Sequence, residues 1–80
     1  MRVDGFIFYM YKKDHPPPHV HAVRAGAECL ILLGSKDEPA TLLKQGEMRS
    51  IDARRAVWIA TGAWELLLMR WRMLHAKPDP

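Results

Sequence analysis

Three of the chain's four histidines, His15, His19 and His21, fall in one short segment, Asp-His-Pro-Pro-Pro-His-Val-His at residues 14–21. Imidazoles in such a cluster suit three kinds of chemistry. Nitrogen ligands can hold a divalent transition metal such as zinc, nickel or copper. A pair of imidazoles can also take a proton from one oxygen and give one to another near neutral pH, as cleavage of an RNA backbone by its 2′-hydroxyl requires. Partly protonated rings can contact phosphate. The structural alternative is that the rings only bond turn carbonyls beside the prolines.

Positioning follows from the backbone. His19 and His21 are two apart in an extended segment, so both leave the same face, roughly 7 Å apart along the strand. His15 precedes Pro16, Pro17 and Pro18, which lack amide donors and fix φ, so this stretch is a turn or a short polyproline segment. A stiff turn of this kind can carry His15 back beside the other two at little entropic cost. Asp14, Lys12, Lys13, Tyr9 and Tyr11 are the nearby polar candidates.

The flanking elements read as a small sheet followed by a helix. Gly5–Tyr11 is aromatic and β-branched, a strand covered on both faces or close to the sheet edge. The chain resumes in extended form at His-Val-His-Ala-Val-Arg-Ala, and Arg24–Ala27 is a tight connection in which Gly26 can take positive φ. A third, central strand follows in Glu-Cys-Leu-Ile-Leu-Leu, ended by Gly34. The next segment is the least legible: Pro39 excludes a central strand, and Ala-Thr-Leu-Leu-Lys is either a short edge strand or a passage across the sheet. Ser50 is a good N-cap and Asp52 favours the first turn, opening one long helix over 50–76, with Pro78 beyond it.

Along that helix Ala53, Ala56, Val57, Ala60, Ala63, Trp64, Leu67, Leu68, Trp71 and Leu74 form the main apolar stripe. A second apolar group, Trp58, Ile59, Leu66, Met69 and Met73, points elsewhere and leaves only a narrow polar strip of Arg54, Thr61, Glu65 and Arg72. One sheet needs less apolar surface than this, so the second group is expected to be an interface with another copy or a partner protein. Gly62 marks a kink or a close crossing. The fold expected is α+β, a three- or four-stranded mainly antiparallel sheet with one long C-terminal helix packed on one face. Residues 1–80 form a single domain, 1–49 the sheet with its connections and 50–76 the helix.

Composition narrows the setting. Eighty residues, 49% hydrophobic and 26% charged, support one modest globular core, marginal enough that a partner or bound ion would help. The formal charge of +3 is compatible with RNA, with Lys12, Lys13 and Arg24 as phosphate contacts, but contains no long basic run. The one cysteine, Cys29, lies in the most apolar strand, an inert core thiol, and a reducing cytoplasm is the expected compartment. No apolar stretch approaches the roughly 20 residues of a membrane span. Gly-rich phosphate loops, nucleophile elbows, cysteine pairs and paired carboxylates do not occur. His75 would end the helix near its negative pole, as a cap. A DNA-binding regulator ranks last, because no short helix precedes a polar recognition helix.

The segment Asp-His-Pro-Pro-Pro-His-Val-His after an aromatic strand resembles the signature of a family of short bacterial proteins of unknown function. The resemblance extends through Glu38-Pro39, Gly46 with Met48, and Trp71 with His75, almost the whole chain. Ala22 departs from the valine common after the last histidine of that string. Such proteins are often encoded beside a second small protein, an arrangement similar to toxin–antitoxin modules. The resemblance implies a toxin-like or RNA-acting role. Taken with the histidine cluster and the mild positive charge, it makes the leading expectation an RNA-binding protein that could act as a metal-independent endoribonuclease, with His19 and His21 as the acid–base pair and His15 in support. The alternative expectation is a non-enzymatic interaction module, metal-loaded through His15, His19 and His21 or free of any cofactor.

Overall fold

The computed structural model describes residues 1–76. Five strands, β1 (Arg2–Val3), β2 (Phe6–Tyr9), β3 (His19–Arg24), β4 (Ala27–Leu32) and β5 (Thr41–Lys44), form one antiparallel sheet in chain order. Two helices follow, α1 (Ser50–Gly62) and α2 (Trp64–Leu74). The α+β class and the antiparallel sheet agree with the sequence reading.

The strand count and the helix do not. The expected first strand is β2, and an unforeseen short strand, β1, precedes it: Asp4 and Gly5, at φ 50° and 83°, turn the chain between the two. Ala25 and Gly26, at φ 51° and 80°, make the same kind of turn between β3 and β4, the left-handed pair that matches strand twist in two-residue hairpins. The Thr-Leu-Leu-Lys segment is indeed an edge strand, β5, joined to β4 through an irregularity at Leu30/Ile31. The expected single helix breaks at Ala63 (φ −104°, ψ 17°), directly after Gly62. A Cβ on Gly62 would meet nothing within 4 Å, so this glycine accompanies a kink and not a close crossing. Nor does Ser50 cap: Arg49 holds the cap position without a side-chain bond, and the Ser50 hydroxyl accepts from Gln45 Nε2 instead. Asp52 keeps its place in the first turn.

Alternation sorts each strand by face. Phe6 and Phe8, Val20 and Ala22, Cys29 and Ile31 point inward and are buried with Leu33. Ala53, Ala56 and Ala60 of α1 are at most 1% exposed, the small side chains bringing this helix close to β4 and β5. Leu67 of α2 is buried in the same core cluster as Phe8 and Val20. The other sheet face carries Ile7, Tyr9, His19, His21, Val23, Leu30 and Leu32, in register across the three central strands. Ile7 on that face is 41% exposed and β2 lies one strand from the sheet edge, the second of the two placements expected for this segment. Among the described residues no helix is long and apolar enough to cross a membrane.

Candidate functional site

The histidine-bearing face converges at the end of β3, beneath the turn from Tyr11 to Pro18. The turn folds on Asp14. Its amide donates to the Tyr11 carbonyl (3.0 Å), and its carboxylate accepts from the Tyr11 amide (2.8 Å). This reciprocal bonding is local chemistry typical of aspartate in turns. It aims the carboxylate at two imidazoles. His21 Nε2 lies 3.1 Å from Asp14 Oδ2, and His19 Nε2 lies 3.6 Å from Oδ1.

The opposite edges of both rings are anchored. His21 Nδ1 donates to Glu28 Oε1 at 2.6 Å, a partner diagonal to it across the β3–β4 pair. His19 Nδ1 donates to the Pro17 carbonyl at 3.0 Å. A carbonyl or a carboxylate only accepts, so each Nδ1 carries the hydrogen, and each Nε2 is the nitrogen turned to Asp14. One ligand atom from each of Asp14, His19 and His21 lies within 4.8 Å of the others. His21 stacks on Tyr9 (4.9 Å between centroids, 9° between planes) and meets the edge of Tyr11.

The C-terminal helix closes the site from the side. Trp71, 6% exposed, packs against His19 (5.2 Å) and stacks on His75 (3.8 Å). His75 Nδ1 donates to the Trp71 carbonyl, the cap expected at this helix end, while Nε2 donates 2.9 Å to the Asp14 carbonyl. Both bonds form together only when both ring nitrogens carry hydrogen. Asp14 is therefore held twice, its main chain by α2 and its carboxylate by β3.

Electrostatics follow the contacts. Burial alone would raise the Asp14 carboxyl, but the Tyr11 amide, the His21 bond and the charges of His21 and His19 outweigh it and hold it below its usual range. Glu28 is held down chiefly by the His21 bond, against burial. Tyr9 is pushed well up, first by burial and then by Glu28 and Tyr11. Burial also lifts the Cys29 thiol to about 11, in keeping with an inert core cysteine. Depressed carboxyls favour the folded state once ionised, so their contribution is complete above the range where unfolded carboxylates titrate. It is lost as pH falls through their folded values. Thermal melts should show Tm dropping steeply on acidification, and Asp14→Asn should flatten that slope. Glu28→Gln should flatten it less, because the Glu28 side chain is 45% exposed.

The cluster differs from the expected trio. His19 and His21 do share a face, but they are covered rather than open, with side chains only 13% and 11% exposed. His15 is exposed and is not in the cluster; Asp14 stands in the third place. Lys12 and Lys13 are exposed on the same turn. Arg24 is engaged elsewhere, donating to the Asp4 carbonyl (2.6 Å), facing Asp52 (3.7 Å) and lying over Phe6. In the expected interface group Ile59 is a correction: at 8% exposure it belongs to the core, because the helix turns it toward the sheet, whereas Trp58, Leu66, Met69 and Met73 are exposed.

Glu28 was not among the candidates. Its signal was the two-residue turn at Ala25-Gly26, which pairs Val23 with Glu28 and sets Glu28 diagonal to His21. Nothing local pointed to the His75–Asp14 contact across 61 residues.

Neither a curated protein nor a solved structure matches the chain significantly. A family does: residues 5–72, which include Asp14, His19, His21, Glu28 and Trp71, match a domain of unknown function, and the chain belongs to that family, DUF4160.

Proposed function

We propose that this protein binds a first-row divalent transition metal, zinc foremost, through Asp14 and the Nε2 atoms of His19 and His21. The observation that carries this reading is the anchoring of both Nδ1 edges. The two Nε2 atoms and a carboxylate converge, and such an arrangement calls for a cation between them. In the metal-free protein a proton on His21 Nε2 fills that role, bonding Asp14. A metal would replace it, with Glu28 and the Pro17 carbonyl fixing the ring orientations from outside, as carboxylates and carbonyls do behind metal-bound histidines. The spacing suits the exchange. Ligand atoms about 2.0–2.1 Å from a tetrahedral zinc lie about 3.4 Å apart, against 3.3 and 3.6 Å from Asp14 Oδ1 to the Nε2 atoms of His21 and His19. Two nitrogens and one oxygen leave a coordination position for water or a substrate atom.

The test is calorimetric titration of zinc into untagged, chelator-stripped protein. One zinc per chain is expected, with protons released and with affinity falling as pH falls, since metal and proton compete for the same nitrogen. Failure to bind at neutral pH, or binding unchanged in Asp14→Ala, would overturn the reading.

A second reading is favoured by the exposure of Lys12, Lys13 and His15 on the turn that carries Asp14. In it the chain is a toxin-like member of a two-gene module that acts on RNA, the lysines contacting phosphate and His21, oriented by Glu28, serving as a base with His19. This reading requires RNA cleavage in excess chelator that His19→Ala and His21→Ala both abolish. Cleavage that appears only with added metal favours the first reading.

A further inference from the structure

The exposed apolar face of the two helices is independent of the histidine site, and its composition restricts what can cover it. Ile51 and Trp58 are 67% and 70% exposed on α1; Leu66, Met69 and Met73 are 39%, 52% and 72% exposed on α2. At about 100° per residue, Ile51 and Trp58 share one line on α1, with Arg54 on one side of it and Arg55 on the other. On α2 the methionines and Leu66 lie between Arg72 and Arg70 by the same geometry. All four arginines are exposed, and Arg55 also lies over the Trp58 ring, 5.7 Å from its centroid. Arg55 pairs with Asp4 (2.8 Å). Among the described residues no acidic side chain pairs with Arg54, Arg70 or Arg72. Glu65 is the one acidic residue exposed along the ridge.

Tryptophan, methionine and arginine together are the composition of protein interface centres, with their large contact area and few fixed charges of the wrong sign. The arginine borders select the occupant. A second copy of this chain would bring rows of arginines against each other, a costly juxtaposition of like charge. Single-stranded RNA would need several aromatic platforms, and the ridge offers Trp58 alone among aliphatic and thioether side chains.

We propose that this ridge docks a protein partner through an amphipathic helix with an apolar seam and acidic flanks, Trp58 and Met69 meeting the seam and Arg54, Arg70 and Arg72 the carboxylates. The metal site plays no part in this contact, so the two proposals stand or fall separately.

The probes are two synthetic helical peptides that share a leucine seam, one flanked by glutamates and the other by lysines. They are titrated into full-length protein by Trp58 fluorescence and by methionine-methyl NMR. The glutamate peptide is expected to bind at least about tenfold more tightly than the lysine peptide, shifting the Met69 and Met73 methyls. Trp58→Ala, at an exposed position where folding is not at stake, should weaken binding about 30-fold. The double variant Arg54→Glu, Arg72→Glu should reverse the preference between the peptides. Equal binding of both peptides, binding of neither, tighter binding of an RNA oligonucleotide at the same methyls, or a dimer of the protein alone that Trp58→Ala dissociates would each overturn the proposal.

Discussion

His21→Ala should remove metal binding and destabilise the protein together. The side chain is 11% exposed and bonds carboxylates at both nitrogens, at 2.6 and 3.1 Å. Its loss leaves Asp14, itself only 14% exposed, without its nearest cationic partner. Truncating one side of a buried, charge-assisted pair costs about 2–3 kcal/mol, mostly through the charge left behind. For an 80-residue domain that is a large share of total stability, and it lowers Tm by about 10 °C or more. Metal affinity should fall by at least about 100-fold, beyond the 10- to 100-fold typical of losing a group behind a ligand. Glu28→Gln supplies that comparison: it keeps the size and an acceptor oxygen, so it should bind metal about tenfold more weakly with little change in Tm. Calorimetry and thermal melts on the two variants read both effects. Equal metal affinity in His21→Ala and the unaltered chain would remove His21 from the ligand set.

The second large effect is expected at Trp71→Ala. The indole fills the space between His19 and His75 at 6% exposure, and its removal opens a cavity where α2 meets the site. Core aromatic-to-alanine changes cost about 3–5 kcal/mol, enough to leave much of the population unfolded. Below the melting transition, the surviving folded fraction should still bind zinc more weakly, because His75 then holds Asp14 from an undocked helix end. Trp71→Phe should restore most of the stability. His75→Ala separates packing from positioning: it removes the bond to the Asp14 carbonyl but leaves Trp71 buried, so metal affinity should drop while Tm changes less. Hydrogen exchange at α2 amides, with and without zinc, reads the same coupling from the other end. Zinc should slow exchange at the end of α2 and not in α1.

The features that carried through from sequence are those governed by short-range rules. Extended backbone at His19–His21 puts two imidazoles on one face by geometry alone, and the small residues Ala53, Ala56 and Ala60 announced close approach of a helix to the sheet. Cys29 sat in the most apolar strand and is buried. The features that did not carry through depend on competition between local and distant contacts. Asp14 and His15 are neighbours beside the same prolines, and histidine is the more familiar metal ligand. The turn chooses Asp14, because its carboxylate bonds the Tyr11 amide and fixes its direction, while His15 has no such bond and faces solvent. The helix break at Ala63 was foreshadowed only by Gly62, a cost the chain could have carried without breaking. Ile59 was assigned to the outer group on angle alone. At about 100° per residue it lies only about 60° from Ala56, so the margin of the buried stripe takes it in. Glu28 and His75 reach the site through the hairpin register and the path of α2, information that resides in the whole fold.

The most direct measurement is of the imidazole nitrogens themselves, by nitrogen-15 NMR of histidine-labelled protein before and after one equivalent of zinc. The account predicts that the Nε2 signals of His19 and His21 shift on binding, both Nδ1 atoms remain protonated, and His15 keeps its free-solution signals. Coordination through Nδ1, recruitment of His15, or four histidine spectra unchanged by zinc would contradict it.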